Sequence, residues 1–180
     1  SGGAAQHVLA QLATGEPRRE VPETGRVILV YLFIDDHVRR VVGAMRNYWI
    51  DKFPCYEIND NGVLERNGNF RTAHPIRTKF FRLLRHSQIV NYLNVGLPRI
   101  TVKDAELTAE IIIAARDSFR GSFGSDEFYV AFYPGSHFFG FDMKAHLCAA
   151  GVKMLDYSDR RDSAINIRIR EDPHPGPLGH

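Results

Sequence analysis

With 180 residues, 44% hydrophobic and 24% charged, the chain is long enough for one domain with a sizeable core and shows no fibrous, disordered or disulfide-stapled bias. Its 23 Lys/Arg against 21 Asp/Glu leave a net charge of +2, and no basic run alternates with stacking aromatics, so nothing points to nucleic acid. No apolar run reaches the roughly 18 residues of a membrane span, the start lacks a signal peptide's basic and apolar regions, and Cys55 and Cys148, in no metal-ligand or redox spacing, read as separate small hydrophobes that fix no compartment.

Val8, Leu9 and Leu12 recur at helical spacing over residues 5–13, ahead of Gly15 and Pro17, and predict a short helix followed by a polar connector. Val27-Ile28-Leu29-Val30-Tyr31-Leu32-Phe33 is a continuous apolar run of strand length, as expected of a central parallel strand buried on both faces. Ile34-Asp35-Asp36-His37 then stands at a strand's C-terminal end, where open α/β sheets bind ligands, and residues 38–45 return to a helical pattern with Arg39 and Arg40 outward. Tyr56-Glu57-Ile58, Asn59-Asp60-Asn61-Gly62, Val63-Leu64-Glu65-Arg66 and Asn67-Gly68 predict a β-hairpin with Asn-Gly turn chemistry at both ends. Residues 72–93 are apolar and basic with helical periodicity and a break near His86-Ser87. Arg77, Lys79, Arg82 and Arg85 there read as a solvated face, the alternative being a membrane-surface helix. Hairpin and helical segment, about 47–98, form an insertion on an α/β body.

Thr101-Val102-Lys103-Asp104 reads as a helix-start box for a helix running to Phe119, closed by Gly121 and Gly124. Residues 128–133 predict a second buried strand, Pro134-Gly135-Ser136-His137 its C-terminal loop, residues 142–150 a helix and residues 152–157 a third core strand. Strands alternating with helices predict a mainly parallel sheet covered on both faces, in one domain over residues 1–180. Last comes the strand-like run Ile165-Asn166-Ile167-Arg168-Ile169 and a Pro/Gly-rich turn that holds Asp172 two residues before His174. An imidazole acting as a general base needs a carboxylate to fix its tautomer, and a turn at a strand end can present both to one cleft.

Three strand ends thus carry polar groups: Asp35, Asp36 and His37; Ser136 and His137; Asp172 and His174. All but Ser136 are suitable metal ligands, but none has a dedicated spacing such as H-E-x-x-H, and no metal is assigned. Ser136 lacks the G-x-S-x-G elbow and reads as a turn residue.

Asp172-Pro173-His174-Pro175 with Leu178-Gly179-His180 resembles the C-terminal block of the SGNH (GDSL-type) hydrolase superfamily. There an Asp and a His complete a Ser-His-Asp triad and a Gly-His pair opens the last helix. Ser1-Gly2-Gly3 resembles that superfamily's second block, and Leu32-Phe33-Ile34-Asp35-Asp36 stands where its third block, G-x-N-D, would follow a strand; residues 132–136 and 154–158 look like late strands of bacterial members. The resemblance implies a flavodoxin-like three-layer sandwich and an ester hydrolase or O-acyl transferase that needs no cofactor. His174 and Asp172 would be catalytic, Gly2 and Asp35 would serve the oxyanion, and the substrate would be a small-molecule, lipid or carbohydrate ester. His37 would contact substrate, cap its helix or bond a backbone carbonyl. The G-D-S block has no match, so a strand bearing the serine is expected before Ser1 and a helix after His180. The alternative is a non-catalytic domain of the same fold that binds a sugar or a protein.

Overall fold

The computed structural model describes residues 4–21, 25–45, 51–93 and 95–159, and the backbone of 168–169 and 172–175. Helix α1 (Ala5–Thr14) buries Ala5, Leu9 and Leu12 on one stripe and ends at Gly15, whose left-handed φ of 69° lets its N–H reach the Leu12 carbonyl. The connector beyond it holds an unanticipated short helix, α2 (Glu16–Glu20); Pro17 fits its first turn, where no N–H is needed.

Strand β1 (Leu29–Phe33) forms where the apolar run predicts, but it is buried on one face only. Tyr31 and Phe33 point into the core, whereas Val30 and Leu32 are 55% and 50% exposed. A continuous apolar run does not say how many faces are covered, and here β1 lies at the sheet's edge. After it, α3 (Asp36–Val41) starts two residues earlier than predicted and stops before Gly43. Its Arg40 does not point outward but folds back on Asp36, 2.6 Å away across one turn. Gly43 is required where it stands: its φ is +64°, and a Cβ there would lie 2.8 Å from Cδ1 of Phe70.

The hairpin is β2 (Pro54–Ile58) and β3 (Leu64–Asn69), antiparallel as expected. Asn59 closes it, its Oδ1 accepting the N–H groups of Asn61 and Val63. Asn67-Gly68 is no second turn. It lies within β3 as a bulge opposite Cys55, Gly68 taking φ +77°. The predicted long helix is three: α4 (Phe70–Ala73), opened by a reciprocal Asn69–Thr72 capping box; α5 (Pro75–Arg85); and α6 (Gln88–Tyr92). Pro75 starts α5 afresh after His74, and the break at His86-Ser87 is where the sequence puts it.

Helix α7 (Val102–Phe123) has the expected Thr101–Asp104 capping box and runs through Gly121 to the left-handed Gly124. Strand β4 (Phe128–Phe132), helix α8 (Met143–Ala149), N-capped by Asp142, and strand β5 (Lys153–Asp156) complete the body. The sheet order is β1-β4-β5, all parallel, with Phe33 beside Phe132 and Phe132 beside Asp156, so the three C-terminal ends share one edge. Helix α7 packs against α1, α3 and α8, and its Ala105, Ala109, Ile112 and Phe119 join Phe33, Phe128 and Phe132 in one core. The opposite sheet face leaves Val30, Leu32 and Leu155 exposed.

The molecule is therefore mixed α/β, with a three-stranded parallel sheet and a two-stranded antiparallel one. A third, separate pair is β6 (Arg168–Ile169) and β7 (Asp172–Pro175), antiparallel, with Ile169 opposite Asp172 and Arg168 opposite Pro175. The final strand thus stands apart from the parallel sheet, and the segment predicted as a turn is extended from Asp172 to Pro175. Pro173 and Pro175 supply no N–H, which suits a short two-stranded ladder rather than a sheet interior. Among the described residues no helix is long and apolar enough to cross a membrane.

Candidate functional site

The C-terminal edge of the parallel sheet brings together two of the three polar strand ends. Parallel strands place their following loops on the same edge, and the chain leaves β1 at Ile34, just before Asp35, β4 at Tyr133 and β5 at Tyr157. Asp35 reaches across to the β4 loop, where its Oδ1 and Oδ2 accept the His137 backbone N–H at 2.7 and 2.9 Å. Burial raises the Asp35 carboxyl above its ordinary value, and the His137 N–H only partly offsets this. In its ionised form Asp35 is an acceptor that pins a loop. The oxyanion role expected of it requires the protonated form, towards which burial pushes it.

The β4 loop is held twice more: Gly135 donates its N–H to the Ser158 carbonyl at 3.0 Å, and Ser136 Oγ donates to the Tyr133 carbonyl at 2.7 Å. Ser136 is thus a turn residue, as expected. The Tyr133 hydroxyl is buried without a hydrogen-bond partner among the described residues.

Sequence reasoning missed the cluster under the β5 end. Lys144 of α8 lies 2.6 Å from Ser158 Oγ and 2.7 Å from Asp156, and Ser158 Oγ donates to Asp156 Oδ1 at 2.7 Å. The hydrogen bond from Lys144 holds the Asp156 carboxyl down at about 2. With its hydroxyl donated to Asp156 and accepting from Lys144, Ser158 ties strand end to helix and, among the described residues, has no base beside it to activate it.

His37 corrects an expectation. It is 6% exposed, and its Nδ1 shares a 2.7 Å hydrogen bond with the Tyr31 hydroxyl, beneath α3 and against Phe33. It neither caps α3 nor bonds a carbonyl, and a side chain so buried is placed to serve the core rather than a substrate. Burial, and then the Arg40 charge, lower its pKa from 6.5 to about 4, so the folded imidazole is neutral. Burial also pushes the Tyr31 hydroxyl far up, which leaves it a donor. The unfolded chain binds the His37 proton more readily, so stability contributed here is complete above pH 6.5 and is lost as pH falls towards 4. At about 1.4 kcal/mol per pH unit the loss is roughly 3 kcal/mol. Asp35, raised by burial, has the opposite sign, so the test is a comparison. Between neutral pH and pH 4, urea midpoints of the natural chain should fall relative to those of His37→Gln, whereas parallel curves would contradict the assignment.

Of the remaining expected site residues, Gly2 lies outside the described residues. Asp172 and His174 lie two apart in β7, and their side chains are likewise outside what is described. A metal-capable group exists elsewhere: a ligand atom of Cys55, one of Glu57 and one of His74 all lie within 4.8 Å of one another. Cys55 and Glu57 lie two residues apart on β2, while His74 comes from the α4–α5 junction. The three already satisfy one another in part. Glu57 pairs with His74 at 2.8 Å and accepts from Asn67, and burial followed by the Glu57 charge pushes the Cys55 thiol up to about 11. Cys55 packs with Phe70, as a small hydrophobe should, but Cys148 is exposed. A cavity of about 450 Å³ near Gly121 and Gly124 lies by the start of β1, at the other end of the strand from Asp35.

Comparison of the chain with protein-family models, with curated proteins and with solved structures returned no match.

Proposed function

We propose that this chain is the body of an SGNH-type ester hydrolase or O-acyl transferase whose nucleophilic serine is supplied from outside these 180 residues. The observation that carries the reading is the shared C-terminal edge of the parallel sheet, where Asp35 holds the His137 loop; the superfamily's third block would stand at such a strand end. The sequence of residues 172–180 supports it further. The parallel strands would belong to a flavodoxin-like sheet, extended beyond the open edge of β1 by the strand that bears the serine.

In this reading the serine hydroxyl attacks an ester carbonyl while His174 takes its proton. Asp172 holds the imidazole in the accepting tautomer, and the Gly2 N–H donates to the tetrahedral oxyanion. His174 then returns the proton to the departing alcohol, leaving an acyl-enzyme that water or an acceptor hydroxyl resolves. Asp35 fixes the loop that walls the cleft. The chemistry asks for no metal or organic cofactor, and the substrate is an O-acyl ester of a carbohydrate, lipid or small molecule.

The test is hydrolysis of a short-chain p-nitrophenyl ester by the chain as given and by one extended to the natural gene's ends. The extended form should turn over and the given form should not. A second reading, a non-catalytic domain of the same fold that binds a sugar or a protein, is favoured by the exposed apolar row Val30, Leu32 and Leu155 on one sheet face. It predicts that neither form turns over.

A further inference from the structure

Helix α5 is amphipathic the wrong way round for a core helix. Ile76, Phe80 and Leu83 recur at i, i+4 and i+7 and form a single stripe, yet Ile76 is 83% exposed, Leu83 71% and Phe80 50%. The side of α5 turned to the body is the one bearing Thr78, buried, with its hydroxyl on the Phe70 carbonyl. In α6 the apolar Ile89 and Tyr92 are also exposed, as is Leu93 just beyond it. Large apolar side chains left in water along two successive helices mark an interaction site.

Charge says what rests there. Residues 66–103 hold eight Lys/Arg and no Asp or Glu, although the whole chain is close to neutral at +2; of these Arg82 is paired with Asp51 from outside the stretch. Lys79 borders the apolar stripe directly, and Arg77, on its other side, lies over the rings of Phe70 and Phe81. A helix of strong amphipathicity and low overall hydrophobicity with basic flanks is what lies in the headgroup boundary of an anionic bilayer. An acidic protein would need the charges but not three bulky aliphatic and aromatic groups facing outward. The solvated basic face expected from the sequence is therefore incomplete: the solvated side is apolar as well as basic.

We propose that α5 and α6 form an interfacial surface that docks this protein on anionic phospholipid membranes, Ile76, Phe80 and Leu83 entering the acyl boundary while Lys79 meets the phosphates. The inference is independent of the ester-hydrolase reading and concerns a different part of the molecule.

Flotation of the full chain with vesicles tests it, one set of phosphatidylcholine alone and one of equal parts phosphatidylcholine and phosphatidylglycerol. Partition onto the anionic vesicles should exceed that onto neutral ones by about tenfold and weaken with added salt. The double variant Ile76→Ser, Leu83→Ser should lose about tenfold or more on the anionic vesicles, and Lys79→Gln roughly fivefold. Both alter exposed side chains, so their circular dichroism and melting should match the natural chain. A tryptophan at position 80, introduced as Phe80→Trp with Trp49→Phe, should shift to the blue and be quenched by brominated lipid. Equal partition onto both vesicle types, or none, would overturn the proposal. So would salt-sensitive binding that survives the two serines without a tryptophan shift, which would instead mark a surface for an acidic protein or other polyanion.

Discussion

In the chain extended to the natural gene's ends, His174→Ala is expected to lower kcat for p-nitrophenyl acetate by roughly 10³–10⁴-fold, with KM little changed. Removing the base of a serine triad leaves only binding and the oxyanion donors, so the transition state loses far more than the bound ester does. Asp172→Asn should cost turnover for the same reason, because it fixes the wrong imidazole tautomer. His37→Gln serves as the contrast. It removes a histidine that the structure buries against Tyr31 and should leave kcat within about threefold while changing the pH dependence of stability. A His174→Ala variant that keeps its turnover would remove His174 from the mechanism.

Phe132→Ala should be the most damaging single change to the fold. Phe132 is fully buried on the central strand, with its ring 5.5 Å from that of Phe33 and 5.2 Å from that of Phe138. Truncation opens a cavity between β1, β4 and the loop that carries His137, at an expected cost of about 3–5 kcal/mol. Urea unfolding followed by circular dichroism reads this as a lower midpoint at unchanged slope. In the extended chain the same variant should also lose ester turnover beyond its loss of folded fraction, because Phe138 lies on the Asp35-bound loop. A cost under about 1 kcal/mol would mean that the core collapses onto the gap and that the ring cluster does not brace the site.

What the sequence could tell depended on how local the determining interaction is. Helix α7 was legible because its start is set by Thr101 and Asp104, three residues apart, and its stop by Gly124. The hairpin was legible because Asn59 closes its own turn through Asn61 and Val63. Strands β4 and β5, and the edge they share with β1, followed from apolar runs alternating with helices. Which faces those elements bury was not legible. Val30 and Leu32 have the composition of core residues and stand in solvent because, among the described residues, the helices cover only the other face of the sheet. Ile76 and Leu83 look like a core stripe, but α5 turns its Thr78 side inward instead. Periodicity gives the stripe, and only tertiary packing gives its direction.

The same limit applies to the site. Asp35 was marked by its place after a strand, but its partner, the His137 N–H, is 102 residues away and no pattern joins them. Lys144, Ser158 and Asp156 meet across a helix and a strand end, and no spacing in the sequence joins them. His37 looked functional because it follows Asp35-Asp36; Tyr31, six residues earlier on β1, is what claims it. Asp172 and His174 carry their signal in sequence alone, through Asp-Pro-His-Pro and the Leu-Gly-His that follows.

The measurement closest to the central claim is covalent labelling of the extended chain with a fluorophosphonate, followed by peptide mass spectrometry. A serine triad places one activated hydroxyl beside an oxyanion hole, and the reagent mimics the tetrahedral intermediate there. A single adduct on a serine upstream of Ser1, lost in His174→Ala, is the expected result. A folded, extended protein that takes no label, or takes it on Ser136 or Ser158, would contradict it.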